Sequence, residues 1–333
     1  MTRPARRLTR PSVSVVICTY TEGRWTDLVA AVGSVTAQLD DGDECLVVTD
    51  HNEPLRRRAA ARFGHQPAVR VVASEHPPGL SGARNSGIGH SGGAAIAFLD
   101  DDAVAAAGWL DECLTALTAP QVLAVGSAAQ PQWPGGGRPV WFPPEFDWVV
   151  GCSYRGLPSQ RAEVRNVIGA AMVFRRGAFA LAGLFDSSVG RIGRSPVGCE
   201  ETELCIRLRQ AVPTARILYL PTAVVRHRVS PDRVTVGYFL RRCFGEGRSK
   251  ARVAGLVGAG DALASERAYL RLVLPRALAR ELRRALHGRG AGLATAVAIV
   301  TGVGAAGLGY LRERTRPVAP ESSTSQLGGQ LHV

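Results

Sequence analysis

Three consecutive aspartates, Asp100, Asp101 and Asp102, directly follow an apolar run that has the composition of a buried strand. Carboxylates two residues apart at the end of a strand can share one hard divalent cation, Mg²⁺ or Mn²⁺, and such a cation can bridge phosphate oxygens. A turn whose aspartates cap a helix is the structural alternative. Because three adjacent acids repel one another, their position favours a site that supplies a counter-cation.

Two adjacent glutamates, Glu200 and Glu201, begin a helical pattern later in the chain. Acids at the start of a helix gain about 0.3–1 kcal/mol each from the helix dipole, which is a sufficient structural reason for them. One of the pair could instead lie in a cleft as a general base that removes a proton from a hydroxyl. His227 stands between two arginines after an apolar run, where a structural role and a metal or phosphate contact are equally compatible with its chemistry.

Further polar residues follow other apolar runs. Asp50 ends the second run, and Thr19, Tyr20 and Glu22 come at the end of the first or just after it. An acid in such a position can accept hydrogen bonds from a base or a ribose, although a simple turn residue would look the same. These residues are therefore candidates for contacts with a nucleotide.

The glycine-rich segment 79–89 lies between the third and fourth apolar runs and contains Arg84 and Asn85. Its glycines allow a close approach of the backbone, and the two polar side chains could contact a nucleotide. The segment does not match the G-x-G-x-x-G pattern, and the chain has no G-x-x-x-x-G-K-[ST] loop. Dinucleotide-dependent redox chemistry is therefore disfavoured, and phosphoryl transfer of the phosphate-loop type is excluded.

All these residues must be positioned by elements of alternating type. Apolar runs at 13–20, 44–50, 69–74 and 94–100 predict strands, and a helix is predicted from about 24 to 38. Strands that alternate with helices predict an α/β fold with a parallel, doubly wound sheet. Ligands of such sheets bind at the carboxyl ends of the strands, where the acids described above lie.

The overall charge restricts the classes of partner. The 333 residues carry a net charge of +12 with a pI of about 10.1, which indicates a nucleic acid, a phosphorylated ligand or an anionic membrane as partner. A specific nucleic-acid-binding protein is disfavoured, because recognisable RNA- or DNA-binding motifs are missing and the basic residues concentrate outside the α/β part. Seven cysteines without a C-x-x-C pair indicate a reducing compartment.

The motifs stand in the order found in one enzyme family. Val-Ser-Val-Val-Ile-Cys-Thr-Tyr is followed by Asp50, by Gly-Leu-Ser-Gly-Ala-Arg-Asn, by Phe-Leu-Asp-Asp-Asp, by Gly-Cys-Glu-Glu-Thr-Glu-Leu-Cys-Ile-Arg and by His227. From about Val13 to Arg228 the chain thus resembles the inverting glycosyltransferases of family 2. The resemblance implies a GT-A fold, which is a Rossmann-like, mostly parallel, doubly wound sheet.

The resemblance also implies a role for each matching residue. Asp102 and His227 would hold Mg²⁺ or Mn²⁺, and Glu201 would be the general base, with Glu200 as the alternative because the family commonly has Glu-Asp here. The nucleotide of a nucleoside-diphosphate sugar would contact Thr19, Tyr20, Glu22, Asp50, Arg84, Asp100 and Asp101. The implied reaction is a single displacement at the anomeric carbon. Uridine donors are favoured, while guanosine and thymidine donors stay open, as does a sugar-nucleotide-binding protein without catalysis.

Acceptor contacts are predicted on two segments. Trp141 and Trp148 could form a wall against sugar rings, and ordinary core packing is the alternative for both. Arg241 and Arg242 could bind the diphosphate or a lipid phosphate, and a solvated basic face is the alternative. The acceptor is expected to be a glycan or a polyprenyl-linked molecule.

The C-terminal region carries a membrane signal. Residues 291–311 are uncharged for about the thickness of a bilayer and follow a basic amphipathic stretch. The apolar segment could span a membrane, although alanine, glycine and threonine make its insertion marginal. We expect a cytoplasmic catalytic domain that attaches to the inner face of the cell membrane.

These observations predict a division of the chain into consecutive parts. They are a basic flexible arm (1–11), the nucleotide-sugar-binding half of the GT-A domain (12–130), its acceptor-binding half (131–235), a helical C-terminal region (236–314) that includes the apolar segment (291–311), and a disordered tail (315–333).

Overall fold

The computed structural model describes residues 10–191, 198–288 and 290–315. Of the predicted arm over 1–11, all but the last two residues lie outside the described residues. Of the predicted tail over 315–333, all but the first residue lie outside them. The predicted domain boundaries stay predictions.

The first part of the chain alternates strands and helices, as the apolar pattern predicts. Its strands are β1 (Val13–Thr19), β2 (Glu44–Thr49), β3 (Val69–Ala73), β4 (Ala95–Leu99) and β5 (Ala103–Ala105). Its helices are α1 (Trp25–Thr36), α2 (Glu53–Phe63), α3 (Leu80–His90) and α4 (Trp109–Ala116).

The second part adds longer strands and two helices. The strands are β6 (Val122–Gln132), β7 (Ala162–Glu163), β8 (Ala171–Arg175) and β9 (Arg216–Arg228), and the helices are α5 (Arg176–Ala182) and α6 (Glu200–Ala211). Short 3₁₀ turns occur at Glu22–Arg24, Pro134–Gly136, Pro144–Val150 and Pro231–Val234.

All these strands join one mixed sheet in the order β3-β2-β1-β4-β8-β6-β9-β5, with β7 paired to β9. The pairs among β1 to β4 are parallel, as predicted, whereas β8 runs antiparallel between β4 and β6. The apolar pattern did not predict the direction of β8. Parallel neighbours need a crossover connection, usually a helix, but β8 follows a long irregular segment and runs antiparallel.

The sheet is buried on both faces, which explains why its strands are continuously apolar. Along β1, Val15 and Ile17 pack in a cluster with α1 and α4, and Val16 between them packs in a second cluster with α3, α5 and α6. Side chains alternate across a strand, so each face receives every second residue. Full burial of such an aliphatic side chain contributes roughly 1.5–3 kcal/mol.

The C-terminal region is helical and packs on the sheet domain. Its elements are α7 (Val236–Val257), α8 (Ala259–Ala262), α9 (Ala264–Ala268), a π-helical turn (Tyr269–Val273), α10 (Leu274–Leu286) and α11 (Gly290–Arg314). The basic helical pattern that precedes the apolar segment is therefore interrupted by the π-helical turn. An aromatic cluster joins this region to the segment that follows β6.

Helix α11 packs closely along α7. A side chain at Gly247 would overlap the backbone of Ala306, and one at Gly309 would overlap the backbone of Phe244. At the end of α11, Glu313 accepts hydrogen bonds from two arginines of α7, at 2.7 and 2.6 Å. Helix α11 is thus held against α7 at several points.

Candidate active site

Strand pairing brings the aspartate run and the late histidine together. Strand β5 pairs antiparallel with β9, which places Ala103 opposite His227. The Arg228 amide also donates to the Asp102 carbonyl at 2.8 Å. Residues separated by more than a hundred positions therefore meet at one edge of the sheet.

Asp100, Asp102 and His227 form a compact cluster of ligand atoms. One such atom from each residue lies within 4.8 Å of those of the other two. His227 Nε2 is 3.3 Å from Asp102 Oδ1 and 3.7 Å from Asp100 Oδ2. Two carboxylates and an imidazole are a donor set that suits Mn²⁺ well and that Mg²⁺ also accepts through its carboxylates.

The cluster is strongly charged. Burial alone would raise the pKa of Asp102, but the charges of His227, Arg24 and Arg233 outweigh burial and lower the pKa well below its usual range. Burial likewise would lower the pKa of His227, but Asp102 and Asp100 raise it well above its usual value. His227 Nδ1 is buried without a hydrogen-bond partner in the described part of the chain.

The middle aspartate points away from this cluster. Asp101 accepts a hydrogen bond from the Thr19 hydroxyl at 2.8 Å and one from Arg24 at 2.7 Å. Burial raises its pKa to about 6, although Arg24 acts in the opposite direction. Thr19 and Asp101 thus hold the end of β1 against the end of β4, and both side chains are almost fully buried.

The two glutamates at the start of α6 have different surroundings. Arg84, buried in α3, donates to Glu200 Oε1 at 2.7 Å and to the Gly169 carbonyl at 2.9 Å. Burial, and then the charge of Glu200, raise the pKa of Glu201 to about 7. Glu201 is therefore poised to exchange a proton near neutral pH, while Glu200 neutralises an arginine.

The residues after β1 and β2 that were predicted to contact a nucleotide differ in their surroundings. Asp50 Oδ2 accepts a hydrogen bond from the Gly79 amide at 3.0 Å, and burial raises the pKa of Asp50. Tyr20 is partly exposed and lies beside Arg24. Glu22 lies on the surface, 3.0 Å from Arg58.

One cavity of about 1780 Å³ collects most of the predicted residues. Those that line it are Thr19, Tyr20, Asp50, Arg84, Asp100, Asp101, Asp102, Trp148, Glu200, Glu201, His227, Arg241 and Arg242. Glu22 and Trp141 do not line it. Trp141 packs against Phe142 and Phe239 in the aromatic cluster, so the core-packing alternative describes its surroundings.

Sequence reasoning missed three arginines of the site. Arg24 is 2.7 Å from Asp101 and 3.3 Å from Asp102, and Arg233 is 3.6 Å from Asp102. Arg191 is partly buried near Glu200 and Asp100, whose charges raise its pKa even though burial would lower it. The repulsion within the aspartate run was the available signal, because it requires cations without saying where in the sequence they stand.

Comparison with solved structures identifies the fold. The mannosyltransferase PcManGT from Pyrobaculum calidifontis, solved with GDP-Man and Mn²⁺, is similar with a TM-score of 0.59 and 17% identity, over 91% of this chain and 88% of that one. GalNAc-T7, solved with UDP, GalNAc and Mn²⁺, is similar with a TM-score of 0.53 and 18% identity, over 72% of this chain and 48% of that one. The predicted GT-A fold is confirmed.

Sequence comparison defines the family. The family model for glycosyl transferase family 2 matches residues 14–181. The glucosyl-dolichyl phosphate glucuronosyltransferase of Haloferax volcanii is 34% identical over 239 residues, which are 72% of this chain and 76% of that relative. The chain belongs to glycosyltransferase family 2, and the predicted glycosyltransferase activity is confirmed.

Proposed function

We propose that the protein transfers a sugar from a nucleoside-diphosphate sugar to a lipid-linked acceptor with inversion of the anomeric centre. The observation that carries this proposal is the position of Glu201 in the same cavity as the cluster of Asp100, Asp102 and His227. A proton acceptor and a cation site in one cavity are the two devices that a metal-assisted displacement needs.

The cluster fits Mg²⁺ or Mn²⁺. Its carboxylate and imidazole atoms converge within 4.8 Å, and Asp100 is partly exposed toward the cavity. His227 must be neutral to act as a ligand, so cation binding would displace the proton that the two aspartates now favour. A bound cation would offset the negative charge that develops on the departing nucleoside diphosphate.

The protein groups would carry out the remaining work. Glu201 would accept the proton of the attacking hydroxyl, since its raised pKa keeps the carboxylate a useful base near neutral pH. Arg84 would keep Glu200 in place and limit the repulsion between the two acids. The base and the donor would be oriented so that the hydroxyl attacks the anomeric carbon from the face opposite the leaving group, which inverts the configuration.

The donor would bind along the carboxyl ends of β1, β2 and β4. Gly79 fixes one oxygen of Asp50, which supports a role for the other oxygen toward a base or ribose. Tyr20, Arg84 and Asp100 line the same wall, whereas the buried Thr19 and Asp101 would act by supporting it. A uridine nucleotide remains our preferred donor, and the two structural neighbours were solved with UDP and with GDP-Man.

The acceptor would carry a lipid phosphate. The Haloferax volcanii relative is named for a glucosyl-dolichyl phosphate substrate, which supports this class of acceptor. Arg241 and Arg242 line the cavity from α7 and would contact its phosphate. Lys250 is less available for this, because it lies 2.8 Å from Glu266 and 3.4 Å from Glu246.

The enzyme would act at the cytoplasmic face of a membrane. Its seven cysteines, all within the described residues, are free thiols, which supports a reducing location for the catalytic domain. Helix α11 is long and apolar enough to cross a bilayer, but only its length and composition suggest that it does. Its close packing on α7 supports a helix that lies in the membrane surface.

Product analysis tests this proposal. The purified full chain would be incubated with radiolabelled UDP-sugars and GDP-sugars, Mn²⁺ and an extract of polyprenyl-linked glycolipids. Transfer of label from one donor into the lipid fraction, with an inverted anomeric configuration by NMR, is the expected result. Label that stays with the nucleotide for every donor would contradict the proposal.

A further inference from the structure

The cavity that contains the acidic cluster is also lined by apolar side chains of the C-terminal region. We call these residues the apolar groove: Leu270, Leu272, Val273, Val303, Ala306 and Leu311. The first three belong to the π-helical turn, and the other three belong to α11. Because the same cavity contains the acidic cluster, a ligand in the groove would be continuous with one at the catalytic residues.

The groove opens at the protein surface. Leu270, Leu272 and Leu311 line the cavity and are also 50%, 52% and 60% exposed. Large apolar side chains that are both cavity-lining and half-exposed mark an apolar mouth, which is unfavourable in water and favourable against lipid. The exposed face of α11 continues this surface through Leu308, Val300 and other apolar residues.

A glycine keeps the groove open beside α11. Gly307 lines the cavity, and a Cβ placed on it would have no atom within 4 Å. Gly304, on the same helix, has the same open surroundings but does not line the cavity. A side chain at position 307 would therefore enter the groove, and one at position 304 would not.

Basic side chains that line the cavity also suit a phosphorylated lipid. Arg276 lines the cavity and borders the row of arginines along α10 that includes Arg280, Arg283 and Arg284. Within the described residues, no ion pair involves Arg276 or the cavity-lining Arg241. A chain with a phosphate at one end matches an apolar groove that has unneutralised cations nearby.

We propose that the apolar groove binds the isoprenoid chain of the acceptor, with the chain entering from the membrane between the π-helical turn and α11. This inference rests on the proposed function, since it assumes that the acceptor is a lipid phosphate. The groove would then select acceptors by chain length, and the catalytic end would select the sugar and phosphate.

Binding of isoprenoid phosphates to the full chain tests the groove. Calorimetry would compare farnesyl phosphate with dimethylallyl phosphate, which shares the phosphate but has a much shorter chain. We expect farnesyl phosphate to bind at least ~10-fold tighter, because each buried methylene contributes about 0.8 kcal/mol. Gly307→Phe should remove this difference, and Gly304→Phe should leave it unchanged.

A second variant keeps the proposal testable if Gly307→Phe does not fold. Leu272→Asp changes a half-exposed residue at the mouth and should also reduce the chain-length difference, by roughly tenfold. Equal binding of both phosphates by the unaltered chain, or unchanged discrimination in Gly307→Phe and Leu272→Asp, would overturn the proposal. A shift of the unaltered chain to dimers that both variants abolish would also overturn it, because the groove would then be a self-interface.

Slow hydrolysis of the donor in the absence of lipid, measured as release of nucleoside diphosphate, distinguishes failure of the groove proposal from failure of the proposed function. We expect the unaltered chain to show metal-dependent release from the donor without lipid, and Gly304→Phe, which lies outside the cavity lining, to retain it. Release of nucleoside diphosphate by a chain that binds both isoprenoid phosphates equally would contradict the groove proposal but not the proposed sugar transfer. No release and no donor binding by the unaltered chain would reject both.

Discussion

Arg84 donates a hydrogen bond to Glu200 at 2.7 Å, and this contact separates the roles of two adjacent carboxylates. Glu200 is neutralised by a buried guanidinium. Glu201 forms no ion pair with a basic side chain in the described part of the chain, and its pKa is raised to about 7. The acid that is not held by Arg84 is the one able to take a proton during the reaction.

Glu201→Gln should lower kcat by about 10²–10⁴-fold, because the amide cannot accept the hydroxyl proton. The affinity for the donor should change little, since Glu201 is assigned to the acceptor side of the reaction. Steady-state kinetics with donor binding measured by calorimetry checks both statements. Glu200→Gln is the matched change; if it removes the rate while Glu201→Gln keeps it, the base is assigned to the wrong residue.

The pH dependence of kcat should report the same group. A general base works only when deprotonated, so a pKa raised to about 7 means that kcat falls as the pH drops below that value. The expected loss is roughly tenfold per pH unit on the acidic side. The residual rate of Glu201→Gln should be nearly flat over this range, and a slope that survives in the variant would assign the titration to another residue.

Removal of the metal should abolish turnover, and the cluster should account for its binding. Mn²⁺ at about a hundred times its Kd should stabilise the unaltered protein by ~2.7 kcal/mol. Thermal unfolding with Mn²⁺ and with EDTA measures this difference. Asp102→Ala and His227→Ala should lose most of it.

Glu22→Gln is the control for the metal measurement, because Glu22 lies on the surface outside the cavity. It should keep the full stabilisation by Mn²⁺. If Asp102→Ala and His227→Ala remain folded in EDTA and still respond to Mn²⁺ as the unaltered protein does, the cation binds elsewhere.

Helix α11 should hold the enzyme at a membrane surface without crossing it. Protein bound to vesicles that contain phosphatidylglycerol should be released by alkaline carbonate. Val300→Glu and Leu308→Glu each remove an exposed apolar contact worth roughly 1.5–3 kcal/mol and should weaken vesicle binding about tenfold or more. Leu181→Glu, an equally exposed change on α5, should have no such effect. Resistance to carbonate would indicate a spanning helix.

The sheet and its acids could be predicted because they follow from local patterns. Strands that are buried on both faces are continuously apolar, and their carboxyl ends meet at one edge of the sheet. Asp100 and Asp102 are two residues apart after such a strand, and His227 lies on another strand of the same sheet. Their convergence also depends on the antiparallel pairing of β5 with β9, which the apolar pattern did not predict.

Contacts that depend on tertiary packing could not be predicted in this way. Nothing local distinguishes Asp101, which binds Thr19 and Arg24, from the aspartates on either side of it. Trp141 and Trp148 stand in one tryptophan-rich segment and both pack against the aromatic cluster, but Trp148 also lines the cavity and Trp141 does not. Which side of a loop faces the cavity is decided by partners that are distant in sequence.

The packing of the apolar C-terminal segment could not be predicted from its sequence either. Its length and composition are those of a membrane span, and they contain no information about α7. The glycines that allow close packing, Gly247 and Gly309, acquire their meaning only once the two helices are placed side by side. The part of the cavity wall that this region forms could therefore not be predicted from the sequence pattern.

Release of nucleoside diphosphate by the purified full chain would show sugar transfer most directly. UDP-, GDP- and TDP-sugars would be supplied in turn with Mn²⁺ and the polyprenyl-linked lipid extract, in parallel with samples that contain EDTA. We predict release from one donor, stimulated by the lipid and abolished by EDTA and by Asp102→Ala. Absence of release from every donor, together with no thermal stabilisation by any of the nucleotides, would contradict a sugar-nucleotide-dependent transferase activity.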